Sequence, residues 1–272
     1  AKEKVSVKKQ LKAVATDKFW WIVIIFYLLF QFGGMFKNLS ITYFCTDQFS
    51  GTAIGGEDGS GAMAIINILG AVPMAVAMAF IWPLSAKFGK RIVVLVGCVI
   101  GLAGGVIAGC FPNNFYAVAV GVALKSFGSS PACYMILAMF ADVLDHIEAK
   151  RGYRCDGLTM SIYSSIMAAA TPLATGIFNA ISGGGANELA NTISYIWIET
   201  AAYGVCIVLL LFFTVEKLLK GDRVTILERQ KAEALANGEE WIEPEERLRL
   251  EEEEANRIAD EARKAELKAK CE

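Results

Sequence analysis

Between Ala141 and Gly157 the chain reads ADVLDHIEAKRGYRCDG, a run holding four acidic residues, three basic residues and the chain's only histidine. Asp142, Asp145 and Glu148 recur at steps of three, which sets them on one side of a helix, and paired carboxylates can trade protons in acid–base work. Lys150, Arg151, Arg154 and Asp156 follow at once, however, and charges of both signs this close would pair. His146 has no second histidine with which to hold a metal ion. Cys45, Cys98, Cys110, Cys133, Cys155, Cys206 and Cys271 are scattered with no CxxC spacing, which argues against a metal centre and a disulfide framework alike. No nucleophile–base constellation stands out elsewhere. The expectation is therefore no enzyme, no metal and no cofactor, but a charged segment that forms ion pairs with another part of the protein. In a transporter, such pairs made on one side at a time hold a gate shut.

The elements around this segment are strongly apolar. Of 272 residues 55% are hydrophobic, and the mean hydropathy is +0.45, above the composition of ordinary soluble domains. Six stretches approach the roughly 20 apolar residues that a membrane-crossing helix needs: Phe19–Phe36, Ala62–Leu84, Ile92–Phe111, Phe115–Phe140, Leu158–Ser182 and Ile193–Leu219. Lysine and arginine crowd alternate connections. The N-terminal arm before Phe19 carries six lysines, SAKFGKR carries Lys87, Lys90 and Arg91 around Gly89, and the 141–157 segment carries its own three. The connections at 45–60, 112–114 and 183–192 carry none. The positive-inside rule then predicts an integral membrane protein with both termini cytoplasmic. A signal peptide is rejected, because the first apolar run is too long and lacks a small-residue cleavage site. The absence of a leading Met raises the expectation of a longer parent chain.

The expected organisation is a cytoplasmic linker over 1–18, a six-helix transmembrane bundle over 19–219 and a charged helical tail over 220–272. Residues 221–272 hold 16 acidic and 10 basic residues, whereas residues 1–220 hold 12 and 16. In the tail, VTILERQKAEALANG predicts a short helix stopped at Asn237-Gly238, and a second helix starts at Pro244. Its thin apolar stripe predicts a solvated helix rather than a partner-binding element.

Ionisable groups inside a span are costly and mark functional candidates. Lys125 lies deep in the fourth span, just before Gly128 and Pro131, and a broken helix beside a buried charge points to a binding region. Its two readings are a solute- or cation-related charge in a central cavity and a structural ion pair. Glu199 reads as a partly hydrated boundary residue. Asn38 and Tyr43 at the end of span one, Asn67 in span two, and Tyr163, Ser164 and Asn179 in span five are candidates to line a polar path.

The 141–157 segment also resembles a known family. ADVLDHIEAKRGYRCDG, followed by LTMSIYSS, is similar to the loop between helices ten and eleven, and the serine-rich helix after it, of the glycoside–pentoside–hexuronide:cation symporters. This is the melibiose permease group of the major facilitator superfamily. SAKFGKR resembles that superfamily's basic loop between helices eight and nine, with Ala86 where an acidic residue often stands, and YFCTDQF resembles the end of helix seven. The resemblance covers residues 1 to about 225. It implies an all-α membrane fold whose six spans are helices seven to twelve, the C-terminal half of a transporter whose N-terminal six-helix half is absent here. It implies cation-coupled symport of a sugar, glycoside or related small solute across a bacterial cytoplasmic membrane, with Na+ or H+ as coupling ion and no nucleic-acid partner. Asp142, Asp145, Arg154 and Asp156 would belong to the network that closes the inner gate. Two positions depart from the family: Ala168 stands where a lysine is common in helix eleven, and Cys133 where the permease stacks its sugar on an aromatic ring. Lys125 is the candidate to supply the missing charge from a neighbouring helix. The alternatives are a six-helix protein that transports as a homodimer and a membrane sensor or scaffold without transport.

Overall fold

A computed structural model describes residues 6–238 and 241–269, and every described element is helical apart from an isolated bridge between Thr52 and Gly56. The order is α1 (Val7–Ala15), α2 (Lys18–Phe49), α3 (Ser60–Phe88), α4 (Lys90–Cys110), α5 (Phe115–Arg151), α6 (Asp156–Ser182) and α7 (Glu188–Thr192). A π turn (Ile193–Trp197), α8 (Ile198–Phe212), a 3-10 turn (Val215–Lys217), α9 (Leu219–Ala236) and α10 (Pro244–Ala269) complete it. Six helical stretches are long and apolar enough to cross a membrane, the last running from Glu188 to Lys217. Lipid offers no partner to a backbone amide, so continuous helices satisfy these segments internally.

The expected spans exist, but several boundaries move. The first was expected to end at Phe36; α2 continues to Phe49, so Asn38 and Tyr43 lie inside it, and so does Lys37. The fourth continues past Phe140 to Arg151, so most of the charged segment is the last turns of α5 rather than a loop. Only Gly152–Cys155 turns the corner, with Gly152 at φ 81°. In both cases charged residues interrupt the apolar run while the helix itself persists. Nor do Gly128 and Pro131 break α5, which runs through them; membrane helices tolerate proline where neighbours satisfy the freed backbone.

Side-chain caps start α2 and α5. Asp17 accepts from the backbone N–H groups of Phe19 and Trp20, and Asn114 from those of Tyr116 and Ala117. Inside the bundle, α5 is the hub, packed against α3 and α4; α2 packs against α6 and α8, and α8 also against α4. Burial reflects this order, since 67% of the most apolar window of α5 is buried but only 17% of that in α3 or α6. Two helices therefore keep most of their surface open. α1 docks through Ala13 and Val14 onto α2, α5 and α6.

Glycine lets α4 and α5 touch backbone to backbone. A Cβ on Gly104 would stand 2.6 Å from the Gly121 carbonyl oxygen, and one on Gly121 2.6 Å from that of Gly104. Contacts divide the chain into a unit ending at Arg223 and a second starting at Val224. In that second unit Leu248, Leu250 and Ile258 are exposed, and Arg249–Glu253 and Arg257–Glu254 pair at 3.8 and 3.7 Å along the surface of α10.

Gly121→Val is expected to cost about 1–3 kcal/mol or more by forcing α4 and α5 apart, read as a lower melting temperature of the purified protein in detergent. Gly34→Ala, whose added Cβ meets nothing within 4 Å, should leave the melting temperature unchanged. Equal behaviour of the two variants would contradict the close approach.

Candidate functional site

The deepest polar site is a charge cluster shared by α2, α5 and α8. Lys125 Nζ lies 2.6 Å from Glu199 Oε2, with both side chains almost fully buried, and Lys37 Nζ lies 3.4 Å from Glu199 Oε1. The Tyr203 hydroxyl donates to the same Oε1 at 3.1 Å. Lys125 also donates to the carbonyls of Tyr195 and Ile196 at 3.4 Å each. Those carbonyls belong to the π turn, where the wider i→i+5 pattern turns backbone acceptors aside for other partners. Glu199 is thus no hydrated boundary residue but the counter-charge that Lys125 requires. Lys37 directly follows the apolar run that ends at Phe36, so its place inside α2 shows only in the fold. The cluster holds two lysines and one glutamate, and Lys37 is its most accessible member, its side chain 24% exposed. Cys133, itself exposed, lies within electrostatic reach of Lys37 and Glu199.

A second site occupies the end of the bundle where the basic segments meet. Arg154 bridges three carboxylates: Asp145 at 2.9 Å, Glu148 at 3.5 Å and Asp156 at 2.8 Å. Burial works against the guanidinium charge, but these acids outweigh it and hold the Arg154 pKa above the ordinary arginine value. Asp142 turns away from this group. It takes Lys90 Nζ on both oxygens, at 2.7 and 2.8 Å. His146 pairs through Nδ1 with Asp222 at 2.7 Å. Lys150 and Arg151 lean instead to the α1–α2 corner, where Arg151 donates to Thr16 Oγ1 at 2.9 Å and Lys150 stands 3.9 Å from Asp17. Steps of three residues drift around a helix, which is why Asp142 parts from Asp145 and Glu148.

The basic loop after α3 clamps two helix ends. Arg91 donates through Nε and Nη2 to the Leu210 and Leu211 carbonyls at 2.7 Å each, a cation on the exposed acceptors at the end of α8. Its backbone N–H donates to Glu216 Oε1 at 2.9 Å, so an acid from the 3-10 turn that ends the last span serves the start of α4. Gly89, at φ 87°, lies beneath that carboxylate, where a Cβ would come within 2.9 Å of Oε2. Lys87 remains exposed beside the Phe88 ring.

The other candidate residues divide by exposure. Tyr163 stacks on Tyr27 with centroids 4.5 Å apart and packs against Phe140, so it belongs to the core. Tyr43 packs on Phe178 near the opposite end. Asn38, Asn67, Ser164 and Asn179 are exposed. Ser164 and Asn179 share one face of α6 with the exposed Ser161, Ser165, Ala168 and Thr171, opposite the face that packs on α2 through Ala170 and Ala174. Among the described residues no group of three or more His, Cys, Asp or Glu side chains could hold a metal ion.

A family model described as MFS/sugar transport protein matches residues 1–215, all six membrane-length helices except the last turn. The chain belongs to this family. A curated relative, the isoprimeverose transporter of Lactiplantibacillus pentosus, is 26% identical over 235 residues, which is 80% of this chain and 46% of the relative. The chain thus spans about half the length of that relative. The resemblance read from the 141–157 segment holds at the level of a sugar-transporting facilitator family, and the fold is the all-α membrane bundle expected. In this family member the charged segment is already paired within the chain: Arg154 to acids of the segment itself, Asp142 to Lys90 of the basic loop, and His146 to Asp222, a partner that the sequence did not signal.

Asp142→Asn removes the counter-charge of Lys90 and is expected to cost about 3 kcal/mol, measured as a lower midpoint of thermal unfolding in detergent. The double variant Asp142→Asn/Lys90→Met should recover part of the loss. Equal losses in the single and double variants would show that the two charges do not depend on each other.

Proposed function

We propose that this chain is the C-terminal six-helix half of a sugar transporter that works by alternating access with a second six-helix half. The observation that carries this reading is the open polar face of α6. Ser161, Ser164, Ser165, Thr171 and Asn179 are exposed along one side of a membrane-length helix. Ser161 and Ser165 donate to the Gly157 and Ser161 carbonyls of their own helix, and Thr171 reaches Met35 Sδ on α2. An amide such as that of Asn179 is costly to face into hydrocarbon, so such a face belongs against a water-filled path or another polar surface. Half of a relative's length leaves room for a second bundle to supply the opposite wall.

The solute proposed is a sugar or glycoside, with isoprimeverose, the substrate in the relative's name, as the first to try. It would sit between the α6 face and the Lys37–Glu199 region, where Cys133 is exposed. Coupling to Na+ or H+ is part of the proposal and draws on the family resemblance. The bacterial inner membrane is carried over from the family resemblance, and the positive-inside rule supports a cytoplasmic side for the basic ends of the spans. There the Arg154 cluster, with Arg154 42% and Asp156 52% exposed at the side chain, offers a charged latch for the second half to meet when the inner gate closes.

In proteoliposomes of the full-length protein, isoprimeverose should accumulate above equilibrium under an imposed Na+ or H+ gradient. Arg154→Ala should lower accumulation to near the equilibrium level while leaving membrane insertion intact. Unchanged accumulation would remove the latch role, and no exchange of any sugar by the reconstituted parent would overturn the transport reading.

A further inference from the structure

A cavity of about 280 Å³ opens at the α1–α2 corner, lined by Ala13, Thr16, Asp17, Ile147, Lys150 and Arg151. It lies apart from the α6 face and from the Arg154 cluster, and its two basic residues are those that the charged segment diverts from that cluster. We propose that this cavity binds the headgroup phosphate of an anionic phospholipid.

Three independent features converge on that ligand. The first is charge. Lys150 and Arg151 face one carboxylate, Asp17, whose Oδ1 is engaged by the Phe19 and Trp20 backbone N–H groups and whose Oδ2 stands 3.9 Å from Lys150. Two cations against one anion leave the lining net positive. Arg151 commits Nη2 to Thr16, and a guanidinium carries further donors suited to phosphate oxygens.

The second feature is depth. Trp20 and Trp21 begin the first span, Trp21 being 46% exposed with its indole N–H on the Ala15 carbonyl. Tryptophan concentrates at the membrane–water boundary, so a cavity one turn outside these rings lies level with lipid headgroups. The third feature is α1 itself. Val7 and Leu11 are exposed, 68% and 51%, one turn apart, while Lys8, Lys9 and Lys12 are exposed on the same short helix. Its C-terminal end is fixed to the bundle by Ala13 and Val14, and its first turn by the Tyr153 hydroxyl donating to the Lys9 carbonyl at 3.1 Å. An amphipathic helix pinned at the bundle edge, with apolar side chains outward and lysines beside them, suits a lipid surface, and basic pockets at this level take anionic headgroups. The inference does not depend on which solute is carried.

The test uses the purified full-length protein and native mass spectrometry of retained lipid, with dioleoyl phosphatidylglycerol as the anionic probe and dioleoyl phosphatidylcholine as the zwitterionic one. The parent is expected to retain phosphatidylglycerol in preference, and Lys150→Gln/Arg151→Gln to weaken that retention by about ten- to thirty-fold. Lys217→Gln/Lys220→Gln, removing equal charge from the end of the last span and the start of α9, should keep the preference. Three results would overturn the proposal: no preference in the parent, equal loss in both double variants, or displacement of the lipid by inorganic phosphate, which would mark a site for free anions. If Lys150→Gln/Arg151→Gln does not fold, a phosphatidylglycerol with a photoreactive headgroup decides on the parent alone. Labelling within residues 11–18 and 147–151 supports the cavity, and labelling confined elsewhere refutes it.

Discussion

An ionised side chain inside a membrane bundle must meet its opposite charge, and Lys125 with Glu199 is where this chain meets that requirement. The ammonium and carboxylate lie 2.6 Å apart with both side chains nearly inaccessible. Removing one partner of such a pair leaves a buried charge and costs several kcal/mol, whereas the intact pair contributes little net stability. The local structure is shaped around it. The π turn presents the Tyr195 and Ile196 carbonyls to Lys125, and Tyr203 holds the carboxylate while its ring covers Gly101 so closely that a Cβ there would lie 3.0 Å from it. The pair thereby links α5 to α8, both of which pack on α4. α4 and α8 are then tied at the basic end by Arg91.

The bundle therefore has a tight interior and two open helices. α4, α5 and α8 are held by glycine contacts, the buried charges and the Arg91 clamp, while α3 and α6 pack on one side only. The open sides differ in chemistry. α3 presents Ile68, Val72, Val76 and Phe80, whereas α6 presents a stripe of hydroxyl and amide groups beside exposed Leu173, Ile177 and Ile181. A rigid core with a polar flank is the kind of body that can rock against another as a unit. The charge clusters at the basic end fit that picture, because the Lys90–Asp142, His146–Asp222 and Arg154 pairs join elements of one bundle and can move with it.

How much of this the sequence reveals depends on range. The six spans are legible because each is a long apolar run, and the Arg154 cluster because its acids lie within nine residues of it in the chain. Boundaries go astray where charge enters a continuing helix, at Lys37 and again from Asp142 to Arg151. The partner of Lys125 is hidden because Glu199 lies two spans further on. Asp222 looks like an ordinary tail charge, and Glu216 like an ordinary charge at the end of the last apolar run, until the fold brings them to His146 and Arg91. The exposed stripe on α6 is legible in part: LTMSIYSS is visibly rich in hydroxyls, but only packing shows which side remains uncovered.

The most direct test of the account is a double-mutant cycle on Lys125 and Glu199, read as thermal or denaturant unfolding of the purified protein. Each charge is held to exist for the other, so Lys125→Met/Glu199→Gln should be more stable than the sum of the two single losses predicts, with a coupling of about 2 kcal/mol or more. Strictly additive losses would show that the two side chains do not form the buried pair on which this description of the bundle rests.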